Sequence, residues 1–265
     1  AAGRARHTVA TAMPGAWENG QVTVSYQPII RLDPSTRDAG RIVAVQALLR
    51  WEHPERGAIA HKECLALAEQ TGLVLSLGPW LLQQACAQLW RWRDELGAAV
   101  PPVRVDLTTH LAQDPDLMAV LCGALNAARL QPQDVQLGIP VELVVEDGEA
   151  EDNLGTLAQA GVGTVLTKYG RAVGNLAILE SLPVQAVEIA DQLVRITTQQ
   201  PGSVVREALT TLVPLIRRTG AAVVVAGIDS AEQADWWRSI GADSARGAAL
   251  APPSGPDELA PQLAP

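Results

Sequence analysis

The sequence predicts an α/β fold, a (β/α)8 barrel of the TIM type that is modified by an antiparallel first strand. Short β-branched segments alternate with helical patterns along the 265 residues, which is typical of a parallel sheet covered by helices. The run Ala222–Ala226 is continuously apolar, as expected for a strand that is covered on both faces. Asp33-Pro34-Ser35-Thr36 joins the first two strands without a helix, so we expect these strands to pair antiparallel.

Eight strands are predicted in chain order, each from a short run of β-branched and apolar residues. They span residues 22–30, 41–50, 103–108, 135–141, 163–168, 184–190, 222–227 and 242–247. Eight helices are predicted from apolar residues that recur at steps of three and four. They span residues 5–18, 61–75, 78–96, 115–129, 150–160, 171–181, 202–219 and 230–240. Asp114 is the expected N-cap of the fourth helix, with Pro115 at its first position.

The chain divides into three parts in this interpretation. Residues 1–19 form an N-terminal helix that leads into the domain, residues 20–255 form the barrel, and residues 256–265 form a C-terminal tail. The Pro- and Ala-rich end, from residue 251 onward, is expected to contain a closing helix before it frays. Because the sequence starts with alanine, we expect it to be a piece of a longer protein.

Composition and charge argue against several classes of protein. Hydrophobic residues make up 48% of the chain and charged residues 18%, which suits a packed core rather than a disordered chain. The formal net charge of −9 argues against a nucleic-acid partner and against an anionic membrane surface. No apolar run is long enough to span a bilayer and no signal peptide is visible, so we expect a cytoplasmic protein without a membrane partner. Cys64, Cys86 and Cys122 lack metal-type spacing and are interpreted as buried hydrophobic residues.

Four short segments carry a resemblance to a known family. They are Tyr26-Gln27-Pro28, Gln46-Ala47-Leu48, Trp51-Glu52-His53-Pro54 and Ala68-Glu69-Gln70-Thr71-Gly72-Leu73. Together they resemble the EAL domain family, whose active members hydrolyse cyclic di-GMP with divalent metals. The resemblance implies a barrel with an antiparallel first strand, in agreement with the pattern of elements. It covers residues from about 20 to 255.

Gln46 stands where the resemblance implies the first residue of the Glu-Ala-Leu signature, a metal ligand. A neutral amide offers Mg²⁺ or Mn²⁺ one weak carbonyl oxygen in place of a carboxylate. The other positions of the implied metal site differ from the family's pattern as well. They are Asp106 for Asn, Gly138 for Glu, Thr167 and Lys168 for an Asp pair, Glu188 for Lys, and Ala226 for Glu. Only Asp106 adds ligand strength, so we expect no bound metal and no cofactor.

Gln27, Arg50 and Lys168 are the candidate contacts for a ligand, if one binds. The resemblance implies that Arg50 contacts a phosphate, since guanidinium favours bidentate geometry. The alternative for Arg50 is an ion pair with Glu52 or Asp106, and Gln27 is equally explained by packing. A salt bridge between Lys168 and Asp106 is also conceivable.

Three further features of the sequence lead to expectations, two from their local pattern and one from the resemblance. His61 and His110 lack a partner at ligand spacing and are expected to be solvated or capping residues. Of the adjacent Trp236 and Trp237, one ring is expected to point inward and the other outward. The segment 171–176 aligns with a loop that, in relatives, couples the metal site to a dimer contact. A homodimer is therefore kept as an alternative assembly, and we expect the contact in any such dimer to be uncoupled from ligand binding.

The leading hypothesis is a catalytically inactive EAL-like domain that acts as a signalling and protein-interaction module. Its partners would be another protein or neighbouring signalling domains. The alternative is a receptor that binds cyclic di-GMP without hydrolysing it. A residual cyclic di-GMP phosphodiesterase is the third hypothesis and ranks last.

Overall fold

A computed structural model describes residues 2–33, 35, 39–146, 148–170, 176–199 and 202–264. Its strands are β1 Val22–Arg31, β2 Ile42–His53, β3 Gly57–Ala60, β4 Val103–Asp106, β5 Val135–Pro140, β6 Gly163–Tyr169, β7 Ala186–Ile189, β8 Ala222–Ala226 and β9 Ser244–Arg246. Its helices are α1 Ala2–Glu18, α2 His61–Thr71, α3 Val74–Leu96, α4 Thr109–Ala112, α5 Leu117–Ala127, α6 Val141–Glu146, α7 Gly148–Gln159, α8 Leu176–Ser181, α9 Asp191–Gln199, α10 Val204–Arg218, α11 Ala231–Ser239 and α12 Pro256–Leu263.

The strands close into a barrel of eight, with β3 as an added hairpin strand. Their order is β1-β9-β8-β7-β6-β5-β4-β2-β3, and a further pairing of β1 with β2 completes the ring. Strand β1 is antiparallel to both β2 and β9, whereas the pairs from β2 through β4 to β9 are parallel. The predicted modified (β/α)8 barrel with an antiparallel first strand is therefore confirmed.

The main hydrophobic core lies between the outer face of the barrel and the helices. Valines of the central strands, such as Val103, Val187 and Val223, are buried there together with helix residues. The C-terminal helix α12 is tied to this layer, because the indole nitrogen of Trp92 donates to the carbonyl oxygen of Pro256 at 3.2 Å. The predicted tail thus begins with a packed helix, in which Leu259 is fully buried.

Helix α1 is fastened at its C-terminal end. The rings of Trp17 on α1 and Trp80 on α3 meet edge to face with centroids 4.7 Å apart. Trp237 on α11 is fully buried and meets Trp236 edge to face, while the Arg206 guanidinium covers the Trp236 ring at 4.4 Å. Trp237 is thus the inward ring, as expected, whereas Trp236 is partly buried and packs against the core. Among the described helices, none is long and apolar enough to cross a membrane.

Several local predictions were wrong or incomplete. Asp114 accepts a hydrogen bond from the Asp116 N–H at 2.9 Å in a turn, so it caps no helix and α5 begins later, at Leu117. Strand β3 and helices α4, α6 and α9 were not predicted. Cys122 is exposed rather than buried, since its position on α5 faces away from the core. The segment 171–175 of the aligned loop lies outside the described residues.

Candidate functional site

The carboxyl ends of the barrel strands meet at one rim, and inward-facing side chains form the candidate site there. Side chains two residues apart on a strand point to the same face. Ile29, Ala44 and Val224 pack in an apolar cluster separate from the main core, and we call this cluster the lower layer. The residues that share this inner face nearer the rim are called the upper layer. They are Gln27, Gln46, Arg104, Asp106, Gly138, Thr167, Glu188, Ala226 and Arg246.

Two arginines and two carboxylates form a connected ion-pair network in the upper layer. Both Nε and Nη2 of Arg104 donate to Oδ1 of Asp106, each at 3.0 Å, and Nη2 also lies 2.9 Å from Oε2 of Glu188. Arg246 contacts Glu188 from the other side, with Nη2 3.2 Å from Oε1 and Nε 3.4 Å from Oε2. The side chain of Arg104 is 0% exposed and that of Glu188 is 8% exposed, so the network is largely withdrawn from water.

Electrostatics in this network favour the charged forms. Burial alone lowers the pKa of Arg104, but the adjacent carboxylates of Asp106 and Glu188 outweigh burial and raise it above its ordinary value. Burial likewise raises the pKa of Asp106, and the charges of Arg104 and then Arg246 outweigh it and hold that pKa below its usual range. The pairing of Arg104 with Asp106 therefore favours the ionised form of both groups.

Gly138 makes room for the Asp106 carboxylate. The two residues are partners across the β4–β5 ladder, and a Cβ at position 138 would lie only 2.1 Å from Oδ1 of Asp106 and 2.8 Å from Cγ2 of Thr167. Real side chains do not approach this closely, so any larger residue at 138 must displace Asp106. The glycine and the network are thus one arrangement.

Gln46 and Gln27 also face the network, in different ways. Gln46 is fully buried beside Arg104 in the β2–β4 register, and its amide atoms have no hydrogen-bond partner among the described residues. Gln27 is engaged, because its Nε2 donates to the Ala251 carbonyl at 3.0 Å and its Oε1 accepts from Arg246 at 3.4 Å. Both polar atoms of the Gln27 side chain are therefore hydrogen-bonded within the protein, and Gln27 supports the network.

The residues present do not fit the divalent metals that the resemblance implies. The described part of the chain contains no group of three or more His, Cys, Asp or Glu side chains arranged to hold a metal ion. The two carboxylates of the upper layer, on Asp106 and Glu188, already accept from guanidinium groups. A divalent cation would have to enter beside two buried positive charges, which repel it.

A cavity of about 630 Å³ opens above the ion-pair network. This volume is within the range of about 300–1,000 Å³ that is typical of small-molecule sites. Its wall is formed by the β2–β3 hairpin and α2 on one side and by the ends of the central strands on the other. Ion-pair members Asp106, Glu188 and Arg246 form part of its floor, and apolar side chains such as Leu48 and Leu65 line the wall.

Three cations stand in the cavity wall besides Arg246. Arg50 forms an ion pair with Glu52, which was one of the two acids predicted as its partner. The side chain of Arg50 is 44% exposed. Lys62 lies 3.2 Å from Asp191. Lys168 is exposed and makes no ion pair within the described residues. The salt bridge with Asp106 that the sequence allowed is not formed, and the Asp106 carboxylate pairs with Arg104 instead.

The backbone at Lys168 adopts an unusual conformation. Its φ angle is 59°, and the β6–β7 register shifts between Leu166 and Tyr169, which marks a bulge. The bulge buries Thr167 and Tyr169 on either side while Lys168 projects outward into the cavity rim. Bulges at strand ends commonly re-aim a side chain in this way.

His61 is not the solvated or capping residue that we predicted. Its Nδ1 accepts a hydrogen bond from the Leu49 backbone N–H at 3.0 Å, and the ring lines the cavity. Burial lowers the pKa of His61 to about 4, with Asp106 raising it and Arg246 lowering it to smaller extents. The ring is therefore neutral at pH 7.

Arg104 is the functional residue that sequence reasoning missed. The prediction followed the family's ligand positions, and position 104 is not among them. A signal was present, because Arg104 and Asp106 are two residues apart in a short strand and must share a face. A charged pair on one face of a buried strand requires partners, and in the structure Glu188 is one of them.

Asp243 and Gly247, next to the site, also have structural roles. Oδ2 of Asp243 accepts from the Val223 N–H at 2.7 Å, and Arg217 lies 3.1 Å from Oδ1. A Cβ at Gly247 would lie 2.1 Å from the Ile228 carbonyl oxygen, so only glycine fits the close approach of the two loops. These contacts hold β8 and β9 together below the rim.

Comparison with known proteins places this barrel. The family model of the EAL domain matches residues 10–253. An uncharacterized protein of Mycobacterium tuberculosis is 29% identical over 245 residues, which cover 91% of this chain and 78% of that protein. The bifunctional diguanylate cyclase/cyclic di-GMP phosphodiesterase MucR of Pseudomonas aeruginosa is 29% identical over 92% of this chain but only 35% of its own length.

Solved structures agree with these relatives. The structure of the MucR phosphodiesterase in complex with cyclic di-GMP superposes with a TM-score of 0.86 at 27% identity, covering 95% of this chain and 99% of that one. The FimX EAL domain of Pseudomonas aeruginosa, solved with cyclic di-GMP, superposes with a TM-score of 0.74 at 23% identity. The match covers 93% of this chain and 96% of that one, and it supports the fold alone. The match over almost the whole chain, together with the barrel topology, shows that this chain belongs to the EAL domain family.

Proposed function

We propose that this EAL domain does not hydrolyse cyclic di-GMP and acts instead as a signalling and protein-interaction module. The observation that carries the proposal is the ion-pair network of Arg104, Asp106, Glu188 and Arg246, which fills the upper layer with balanced protein charges. In EAL phosphodiesterases, divalent metals supply the positive charge that activates water and stabilises the displaced oxygen. Here guanidinium groups supply positive charge, and a guanidinium, unlike a divalent metal, cannot coordinate a water molecule and convert it to hydroxide.

The remaining upper-layer residues support the same proposal. Gln46, Gly138, Thr167 and Ala226 offer no carboxylate to a metal, and Gly138 cannot regain one without displacing Asp106. Loss of a single ligand or of a group that orients it costs about 10–100-fold in metal affinity or activity. Several such losses together remove metal binding at ordinary metal concentrations.

A regulatory role is supported by the form of the relatives. The matched region of MucR is about a third of a protein that its name describes as bifunctional. An EAL domain without hydrolysis can still transmit a signal to a neighbouring domain or a protein partner through its surface. We therefore propose neighbouring signalling domains or a separate protein as its partners, in a bacterial signalling system.

The test is a phosphodiesterase assay with cyclic di-GMP in excess Mg²⁺ and, separately, Mn²⁺. The EAL domain of MucR, assayed under the same conditions, is the positive control. We expect no linear dinucleotide above the level of the protein-free reaction. Turnover that depends on added metal and disappears with a chelator would refute the proposal.

A receptor for cyclic di-GMP is the second candidate, and the open cavity favours it. The cavity stays about 630 Å³ in volume despite the network below it, and Arg50 and Lys168 stand at its rim. Lys168 is the stronger of the two contacts, because Arg50 is shared with Glu52. A lysine at this point neutralises a phosphate as a point charge without any metal.

Calorimetric titration with cyclic di-GMP in the presence of EDTA tests the receptor role. We expect binding that weakens in Lys168→Ala and, to a smaller extent, in Arg50→Ala. Arg218→Ala is the matched control, because Arg218 is an exposed cation on α10 outside the cavity wall. Absence of heat at tens of micromolar ligand removes this candidate and leaves the interaction module.

A further inference from the structure

The position of His61 follows from a gap in the barrel ladder. Strand β2 pairs with β4 only through Val45 and Gln46, and it pairs with β3 from Arg50 onward. Between these stretches the edge of β2 has changed partner and lacks a strand beside it. The N–H of Leu49 points into this gap and donates to Nδ1 of His61. The imidazole thus takes the place of a strand carbonyl.

This hydrogen bond fixes the tautomer of the imidazole. A nitrogen that accepts a hydrogen bond carries no proton, so the neutral ring holds its proton on Nε2. Burial keeps the ring neutral by lowering the pKa of His61 to about 4. Among the described residues, no group accepts a hydrogen bond from Nε2. His61 therefore lines the cavity as a donor whose orientation and protonation are set by the fold.

We propose that His61 contacts ligand in this cavity by donating its Nε2–H to a phosphate oxygen of cyclic di-GMP. The inference rests on the receptor candidate described above. Lys168, which makes no ion pair with any residue that the structure describes, lies in the same wall of the cavity, and Arg246 lies in its floor. Other charged groups that face this space from neighbouring elements are Arg50, Lys62, Glu69, Asp106, Glu188 and Asp191. Most of them already hold a partner, so a neutral, fixed donor adds a contact that no salt bridge competes for.

Two substitutions separate a ligand contact from a structural role. His61→Asn places an amide oxygen near the position of Nδ1, so the bond from Leu49 is kept and the Nε2 donor is lost. His61→Gln places an amide N–H near the position of Nε2, so the donor is kept and the bond from Leu49 is lost. Both variants are titrated calorimetrically with cyclic di-GMP in EDTA, and their thermal unfolding is recorded.

We expect cyclic di-GMP to bind His61→Asn about tenfold or more weakly than the wild type, because a hydrogen bond to a charged group is lost. His61→Gln should keep affinity within about threefold while unfolding at a lower temperature. Unchanged affinity in His61→Asn overturns the inference and leaves the receptor candidate standing. Absence of binding by the wild type removes both together.

Nitrogen-15 NMR of the imidazole rings keeps the inference testable if a variant fails to fold. In the wild type we expect the signals of His61 to show a protonated Nε2 and an accepting Nδ1 at pH 7. Addition of cyclic di-GMP should shift the Nε2 signal more than the Nδ1 signal. A protonated Nδ1, or an Nε2 signal that does not respond to bound ligand, contradicts the inference.

Discussion

The two layers inside this barrel share one backbone and differ completely in chemistry. The lower layer is an apolar cluster of Ile29, Ala44 and Val224, whose stability depends on burial and packing. The upper layer, two residues further along the same strands, contains two arginines and two carboxylates in a connected network. The same strands therefore carry apolar side chains in one layer of the interior and charged side chains in the next.

The difference shows which part of an EAL barrel is free to change. The lower layer and the helix-facing core carry the fold, because they bury the apolar side chains. The charged side chains of the upper layer are held by ion pairs between arginines and carboxylates. Metals with carboxylates balance charge in one way, and guanidinium groups with carboxylates balance it in another. On the proposed function, the catalytic centre would be lost while the barrel is kept.

Removal of one charge from the upper layer should give the largest effect. Arg104→Met removes the ion-pair partner that the partly buried Asp106 and the buried Glu188 share and leaves only Arg246 near them, which should cost about 3 kcal/mol of unfolding free energy. Ile29→Val in the lower layer is the control and should cost about 0.5–1.5 kcal/mol. Urea unfolding at pH 7 measures both values. Equal losses in the two variants would mean that the network contributes no more than ordinary packing.

Filling the space beside Asp106 should give an intermediate effect. Gly138→Ala places a methyl group where only 2.1 Å separates it from Oδ1 of Asp106, so the network must shift, at a cost of about 1–3 kcal/mol. Gly155→Ala is the matched control, because no atom lies within 4 Å of its Cβ position on α7. That control should stabilise the protein by up to about 1 kcal/mol. Stabilisation by both substitutions would contradict the network geometry.

Acid should remove the contribution of the network, with the smallest change of the three. The pKa of Asp106 is lower in the folded protein than in the unfolded chain, where it is about 3.9. Its stabilising contribution is therefore complete above about pH 4 and is lost as the pH falls through the lower folded value. The difference in unfolding free energy between the wild type and Arg104→Met should narrow as the pH falls, because burial raises the pKa of Asp106 once Arg104 is removed and protonation then relieves the unpaired charge in the variant. A difference that grows in acid would show that Asp106 is not held ionised by Arg104.

Sequence patterns were sufficient for the fold. Alternation of strands and helices, together with the helix-free connection after β1, correctly predicted the barrel and its antiparallel strand. The hairpin strand β3 was missed because Gly57–Ala60 has only four residues and is defined by its pairing with β2. Long-range pairing of this kind has no local signature in the sequence.

Side-chain partners in the site were harder to predict than positions. Asp106 and Lys168 are both near the rim, as expected, but the partner of Asp106 is Arg104, which lies on the same strand. The role of His61 depends on the gap in the β2 ladder, and that gap exists only in the folded barrel. Charge and spacing indicate which residues meet at a rim, whereas the register of the strands decides which atoms bond.

Anomalous diffraction from crystals soaked in manganese tests the central claim most directly. We expect no anomalous peak within bonding distance of Asp106 or Glu188, because both carboxylates accept from the guanidinium groups of Arg104 and Arg246. Two strong peaks between Gln46 and Asp106, with Arg104 displaced from the upper layer, would contradict it.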